Sequence, residues 1–207
     1  LPIFNDEAIY IHWASIIRED PSNLFISAID GKTWLFMWLN SLTLGISGDI
    51  LLSGRIISVV SGALTVAGIY LIGRKLYSSR VGWIASLIYL LLPFSLMHDR
   101  LALVDSLLTA FVIGLMVVMM HYDDWEKVYV RGVVLGMILG LGFLTKTPFM
   151  LFFIFPPIAM LIFSDYKKMI LWKGLVLAYG ISFVIVAPYL VYTPPQKMPG
   201  VDKLFHS

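Results

Sequence analysis

Long apolar runs, each of a length to cross a lipid bilayer as a helix, dominate this sequence after residue 54. The clearest of them, IISVVSGALTVAGIYLIG, lies between Arg55 and Gly73. A membrane-spanning helix needs roughly 20 mostly apolar residues. Because no alternation of apolar and polar residues typical of strands competes with these runs, the sequence predicts an all-α fold, a polytopic bundle of transmembrane helices.

About six spans are expected. They are Arg55–Gly73, Val81–Met97, Leu101–Met120, Val128–Leu144, Phe149–Phe163 and Leu171–Tyr192. The fourth span is the weakest, and the fifth is short and contains Pro156 and Pro157. These two segments are therefore also compatible with a tighter re-entrant hairpin.

Composition supports the same class of protein. Apolar residues make up 59% of the 207 residues and charged residues only 14%, against about half and about a quarter in an ordinary soluble domain. No basic run with interleaved aromatic residues is present, so nucleic acid is not an expected partner. The absence of cysteine excludes disulfides, thiolate metal sites and cysteine nucleophiles.

The first 54 residues are of mixed polarity and predict a loop outside the bilayer. The stretch from Glu7 to Ile17 has a helical pattern, and Trp34 to Leu44 is apolar and aromatic but too short to span. The second stretch is typical of a helix at the membrane interface, where Trp is favoured. The expected organisation is a first loop over residues 1–54, a bundle over 55–192, and the start of a further loop over 193–207.

Lysine and arginine in the short loops predict the orientation, because cytoplasmic loops carry the excess of these residues. Eight lie in or beside the loops after the first, third and fifth spans: Arg74, Lys75, Arg80, Lys127, Arg131, Lys167, Lys168 and Lys173. Only Arg100 and Lys146 lie in the alternate loops. We therefore expect an integral protein of a bacterial or archaeal plasma membrane, with residues 1–54 and these two loops on the extracytoplasmic side.

Charged residues far apart in sequence then share the outer side. An acid inside a span, such as Asp105, costs about 2.5–3.5 kcal/mol at the bilayer centre and is by default a functional candidate, although an ion pair with Arg100 is the alternative. Lys146, in the turn FLTKTP, is either a site for a phosphate or an interfacial lysine whose ammonium reaches water.

The remaining candidates also have two interpretations. Asp6 and Glu7 cap the first helix, or one of them is a general base. Lys32 is a solvated loop charge or a ligand for substrate, and Arg55 and Arg100 are interface anchors or phosphate clamps. The histidines are scattered, which disfavours a histidine metal site, but carboxylates such as Asp6, Glu7 and Asp105 leave a divalent cation open.

Glycines recur every fourth residue at Gly132, Gly136 and Gly140. Such a stripe lets two helices approach closely in lipid. It predicts a packing surface, and no glycine-rich phosphate loop is present in the sequence.

Four stretches, taken in order, resemble the GT-C glycosyltransferases, in the branch that contains protein O-mannosyltransferases and the lipid A aminoarabinose transferase. They are NDEAIYIHWASII, DGKTWLFMWLNSL, the long run from GRIISVV to HDRLALVDSLLTAF, and GLGFLTKTPFML. The resemblance covers nearly the whole chain and is to the N-terminal portion of these longer enzymes, so we expect further helices to complete the protein.

The resemblance implies a role for each candidate. Asp6 matches the catalytic base, and Glu7 is its neighbour in the site. The matches to substrate-binding positions are Lys32, Arg55, Arg100, Asp105 and Lys146. The chain departs from the family pattern after Lys32, where Thr33 and Trp34 replace two prolines, at Gly31, which replaces an acid, and at Thr147, which replaces a glycine.

The implied activity is transfer of a sugar from a polyprenyl-phosphate donor to a hydroxyl of a protein, lipid or glycan, with inversion, at the extracytoplasmic face. No cofactor is certain, and a divalent cation is possible. The alternatives are a transporter or lipid flippase, whose charges would lie near the bilayer midplane, and a non-catalytic membrane subunit.

Overall fold

The chain folds into α-helices joined by short turns. The computed structural model describes residues 5–122, 127–163 and 169–192. Nine α-helices lie within these ranges: α1 Asn5–Glu19, α2 Leu35–Ser47, α3 Ile50–Leu76, α4 Ser79–Leu91, α5 Pro93–His98, α6 Val104–Met120, α7 Val128–Thr145, α8 Phe155–Phe163 and α9 Met169–Tyr192. Three 3₁₀ segments accompany them: Pro21–Asn23, Ile26–Asp30 and Thr147–Ile154. No strand occurs in these ranges, and the all-α prediction is confirmed.

Three of these helices, α3, α7 and α9, are long and apolar enough to cross a membrane individually. Of the other predicted spans, Leu101–Met120 is one shorter apolar helix, α6, and the remaining two are divided into pieces. Pro93 separates α4 from α5, because a proline inside a helix removes a backbone hydrogen bond. The predicted fifth span begins as the 3₁₀ segment Thr147–Ile154 and continues as α8, whose first turn contains Pro156 and Pro157.

The glycine stripe of α7 packs against α9. A Cβ added at Gly136 would lie 2.6 Å from the carbonyl oxygen of Ala178, and one at Gly132 would lie 2.8 Å from that of Gly174. Only glycine allows these two backbones to approach so closely. The prediction that the stripe is a packing surface is confirmed.

The rest of the bundle is organised around α3. This helix packs against α4 on one side and α6 on another, and α6 contacts α7, which joins the two halves. The surface of α3 that faces away from its neighbours is apolar, with Val59, Val60 and Leu64 each more than half exposed. Exposed apolar surface of this extent is expected for a helix that faces lipid.

The two predicted helices of the first 54 residues are present as α1 and α2, which pack on each other and on the start of α3. The side chain of Asp49 caps α3 by accepting a hydrogen bond from the backbone N–H of Leu52 at 2.8 Å. The long helix therefore begins at Ile50, five residues before the predicted boundary. The division into a first loop, a bundle and a further loop stays a prediction, and residues 193–207 lie outside the described ranges.

Candidate functional site

Lys146 stands at the end of α7, where the chain leaves the helix. The residue has extended backbone angles, φ −160° and ψ 129°, and the amide of Phe149 donates to its carbonyl at 2.9 Å. The buried ring of Phe149 packs over Gly142, where an added Cβ would lie 2.5 Å from the ring. This folded turn fixes the backbone of Lys146, so that its side chain extends from a rigid support.

The ammonium of Lys146 contacts the acid that the sequence singles out in the third span. Its Nζ lies 2.7 Å from Oδ1 of Asp105, and both side chains are 41% exposed. An ion pair this accessible to water adds only about 0–1 kcal/mol to stability. The alternative in which Asp105 pairs with Arg100 is wrong, because Lys146 occupies that position. A lysine has three N–H donors, so this contact leaves others for a ligand.

A cavity of about 220 Å³ lies in front of this ion pair. Its walls come from α1, from the loop before α2, from the start of α6 and from the turn after α7. The polar lining residues are Tyr10, Lys32, Thr33, Thr145, Lys146 and Thr147. Segments separated by more than 100 residues of chain thus meet around one small polar space.

Lys32 provides a second cation in this cavity. Its ammonium lies 4.7 Å from the ring centroid of Tyr10 and 5.5 Å from that of Trp13. A contact of this kind between a cation and an aromatic ring has a favourable interaction energy of about 0.5–1 kcal/mol at exposed sites. The partly buried side chain of Lys32 is therefore held against α1 where it lines the cavity.

Asp6 lies on α1 one turn before Tyr10, and residues four apart share a helix face. Burial raises the pKa of the Tyr10 phenol to about 12, and the charges of Asp6 and Asp105 add to the increase. Both negative charges therefore act on the phenol that lines the cavity. The side chain of Asp6 is exposed, and the Tyr10 hydroxyl stays protonated at neutral pH.

Glu7 has a different environment from its neighbour. Its side chain is fully buried, and its Oε1 accepts hydrogen bonds from Arg55 Nε and from the backbone N–H of Ala102, each at 2.8 Å. A second bond joins Arg55 Nη2 to Oε2 at 3.1 Å. These contacts tie α1 to α3 and to the segment before α6, which are the elements that shape the cavity.

Arg100 does not line the Lys146 cavity. It is exposed and lines a separate cavity together with Asp99. The buried segment Leu101–Leu103 lies between the two spaces, since Val104 lines one and Arg100 the other. Of the seven predicted site residues, Lys32 and Lys146 line the first cavity, Asp105 pairs with Lys146, and Glu7 and Arg55 pair with each other beside it. Asp6 lies one helical turn from the lining residue Tyr10, and a role in substrate binding for Arg100 stays a prediction.

The carboxylates do not form a cage for a divalent cation. No group of three metal-binding side chains occurs in the described ranges. The oxygens of Glu7 are taken by Arg55 and Ala102, and one oxygen of Asp105 is taken by Lys146. This donor set does not fit a site built from Asp6, Glu7 and Asp105, and no chemical step is assigned to a metal.

Comparison with known proteins identifies the family. The profile described as dolichyl-phosphate-mannose-protein mannosyltransferase matches residues 32–192. The chain belongs to this family. The mannosyltransferase family supports a membrane glycosyltransferase of the GT-C type, which agrees with the expected resemblance. No curated protein and no solved structure matches the chain.

The family match includes Lys32, Arg55, Arg100, Asp105 and Lys146, whereas Asp6 and Glu7 precede it. Two departures from the family pattern have a structural explanation. Thr147 replaces a glycine without strain, because the described non-glycine residues have no positive φ. Gly31 has φ 68°, a conformation that glycine adopts more readily than any residue with a side chain.

Sequence reasoning missed Tyr10, which lines the Lys146 cavity and contacts Lys32. A signal for it exists, since the residue stands four positions after Asp6 in a helix whose start carries the two acids. Its contact with Lys32 depends on how the loop before α2 folds back onto α1, and no local pattern specifies that path.

Proposed function

We propose that the protein transfers a sugar from a polyprenyl-phosphate donor to a hydroxyl acceptor, by a single displacement that inverts the anomeric carbon. The observation that carries this proposal is that Lys32 and Lys146 line one cavity, while the exposed Asp6 lies one helical turn before Tyr10, which lines the same cavity. Two cations suit a phosphate, and an accessible carboxylate suits a hydroxyl that must lose a proton.

The two lysines act on the donor. As the bond between the anomeric carbon and the phosphate oxygen breaks, negative charge grows on the phosphate, and cations already in place lower the barrier. Lys146 is attached to a rigid turn and held by Asp105. Because that ion pair is half exposed and weak, a phosphate can take up the remaining donors of Lys146 at little cost.

Asp6 acts on the acceptor. The acceptor oxygen forms the new bond to the anomeric carbon, its proton passes to the Asp6 carboxylate, and the polyprenyl phosphate leaves with the electrons of the broken bond. A positioned base contributes typically 10²–10⁴-fold to such a step. With one base and one displacement, the configuration of the sugar inverts.

Glu7 and Arg55 position α1, the helix that carries Asp6. Both oxygens of Glu7 are occupied by Arg55 and Ala102, so we assign it to the positioning of α1 and not to contact with the reacting atoms. Arg55, with only 19% of its side chain exposed, is the partner that keeps this buried charge compensated.

An apolar cavity of about 520 Å³ suits the prenyl chain. It lies between α7, the 3₁₀ segment and α9, and Phe143, Phe153 and Leu190 are among its lining residues. Phe143 and Met150 flank Lys146 in sequence and also line this cavity. A donor phosphate at Lys146 would therefore have its lipid chain beside an apolar groove.

The reaction is placed at the extracytoplasmic face of a bacterial or archaeal plasma membrane, on the basis of the lysine and arginine distribution. An interfacial site also argues against a transporter, whose ionisable groups would lie near the bilayer midplane. In the described ranges, the cavity charges lie where α1, α2 and the end of α7 meet, not at the middle of a span.

The test is sugar transfer by purified protein, with polyprenyl-phosphate mannose as the first donor tried. We expect Asp6→Asn to lower kcat by about 10²-fold or more with little change in KM. We expect Lys146→Met to lower kcat/KM by about 10²–10³-fold, whereas the exposed Lys173→Met serves as the matched control and retains transfer. Wild-type rates from both Asp6→Asn and Lys146→Met would overturn the proposal.

A further inference from the structure

A second charged cavity, of about 370 Å³, lies between α3, α4 and α5. Its walls are apolar apart from Asp99, Arg100, Tyr89 and Ser95. It shares no lining residue with the Lys146 cavity. The reaction proposed at Lys146 assigns no role to this space, so its charges need another explanation.

The carboxylate of Asp99 is held firmly in this cavity. Its Oδ2 accepts a hydrogen bond from the hydroxyl of Tyr89 at 3.0 Å. The same oxygen packs against Gly62 of α3, where an added Cβ would lie 2.5 Å away. The glycine thus makes room for a carboxylate beside the helix backbone.

Arg100 supplies the opposite charge at the same cavity. Its side chain is exposed. Within the described part of the chain its guanidinium makes neither an ion pair nor a hydrogen bond. A fixed anion and a neighbouring cation with unused donors therefore line one opening.

This opening is on the lipid-facing side of the bundle. Val59 and Leu90, which line the cavity, are 54% and 50% exposed. Ionisable groups beside apolar surface that faces lipid are costly and mark functional sites.

We propose that this cavity binds the headgroup of a phosphatidylethanolamine molecule from the surrounding bilayer. The lipid phosphate binds the guanidinium of Arg100, the primary ammonium donates to the carboxylate of Asp99, and the acyl chains lie along Val59 and Leu90. The headgroup carries one negative and one positive charge, which match the two charges of the cavity. Phosphatidylglycerol lacks the cation, and the ammonium of phosphatidylcholine has no N–H to donate.

Native mass spectrometry of the detergent-purified protein tests this site. Phosphatidylethanolamine, phosphatidylglycerol or phosphatidylcholine is added at equal concentration, and the bound lipid is counted. We expect phosphatidylethanolamine to be retained preferentially, and both Asp99→Asn and Arg100→Gln to weaken its retention by about tenfold or more. Arg80→Gln, at the opposite end of the neighbouring helix α4, is the matched control and is expected to retain the lipid.

Two results would overturn the proposal. One is equal retention of the three lipids by the wild-type protein, and the other is unchanged retention of phosphatidylethanolamine by Arg100→Gln. Arg100→Gln changes an exposed side chain that makes no ion pair or side-chain hydrogen bond within the described residues, so this variant is expected to fold normally. Gly62→Ala adds an independent check, because its Cβ displaces the Asp99 carboxylate and should also weaken retention.

Discussion

Neutral variants of the adjacent acids Asp6 and Glu7 are expected to have different defects. Glu7→Gln should lower stability, and Asp6→Asn should abolish sugar transfer with little change in stability. Glu7 is fully buried and accepts hydrogen bonds from the Arg55 guanidinium and from the Ala102 amide. Glu7→Gln keeps the shape of the side chain but removes the charge and turns an N–H group toward other donors. The variant tests whether this residue holds α1 in place.

The expected cost follows from the contacts. Removing one partner of a buried ion pair costs about 3–5 kcal/mol, because the remaining charge is left uncompensated. The lower end applies to Glu7→Gln, since Arg55 is 19% exposed and can regain some hydration. A loss of about 3 kcal/mol lowers the Tm of a chain of this size by about 6–12 °C.

Asp6→Asn is the matched control on the same helix. The side chain is exposed, and an acid in the first turn of a helix stabilises it by about 0.3–1 kcal/mol. The Tm should therefore fall by no more than about 4 °C, while sugar transfer is lost. Thermal unfolding in detergent, followed by near-ultraviolet circular dichroism, measures both variants.

The reasoning is refuted if Glu7→Gln unfolds at the wild-type temperature, or if Asp6→Asn is destabilised as strongly as Glu7→Gln. In either case the buried contacts of Glu7 would not be what fixes α1 against the bundle. A Glu7→Gln protein that remains stable but inactive would instead support direct participation of Glu7 in the reaction.

Further expectations concern packing and the cavity. Gly136→Ala places a Cβ 2.6 Å from the carbonyl oxygen of Ala178 on the facing helix. Its free energy of unfolding should therefore be about 1–3 kcal/mol lower than that of Gly180→Ala, whose Cβ meets nothing within 4 Å. Equal free energies of unfolding would contradict close packing of α7 on α9. Because the pKa of Tyr10 is raised to about 12 mainly by burial, the stability that this phenol contributes should be complete below pH 10 and be lost as the pH rises from 10 to 12; ultraviolet titration against Tyr10→Phe measures it, and a Tyr10 signal that titrates near pH 10 would contradict its burial. Lys32→Met should raise the KM for the donor by about tenfold, consistent with loss of a charge-assisted contact, and an unchanged KM would remove it from the phosphate site.

Much of the fold follows from local pattern. The apolar runs and the glycine stripe of α7 are both periodic features, and each has a direct consequence in lipid, where helices must satisfy their own backbone hydrogen bonds and small residues permit close contact. The helices of the first 54 residues were also predictable from local pattern. Their spacing of apolar residues repeats with the helical turn.

The details of the site depend on contacts that no local pattern contains. Asp105 was recognisable as an acid within a span, but its pairing with Lys146 requires α6 to lie against the end of α7. Glu7 and Asp6 look alike in sequence, and only the packing of α1 buries one and exposes the other. The second cavity was not predicted, because its two charges matter only beside the exposed apolar surface of α3 and α4.

Labelling of single cysteines tests the central claim, that distant charged segments meet at one face of the membrane around a phosphate. The chain has no native cysteine, so Ala8→Cys on α1 and Thr147→Cys beside Lys146 can each be introduced alone, with Arg80→Cys as the reporter for the other face. A membrane-impermeant maleimide is expected to label Ala8→Cys and Thr147→Cys from outside intact cells, and Arg80→Cys only after permeabilisation. Polyprenyl phosphate, but not polyprenol, is expected to slow the labelling of Thr147→Cys. Labelling of Ala8→Cys and Thr147→Cys from opposite sides would contradict the central claim.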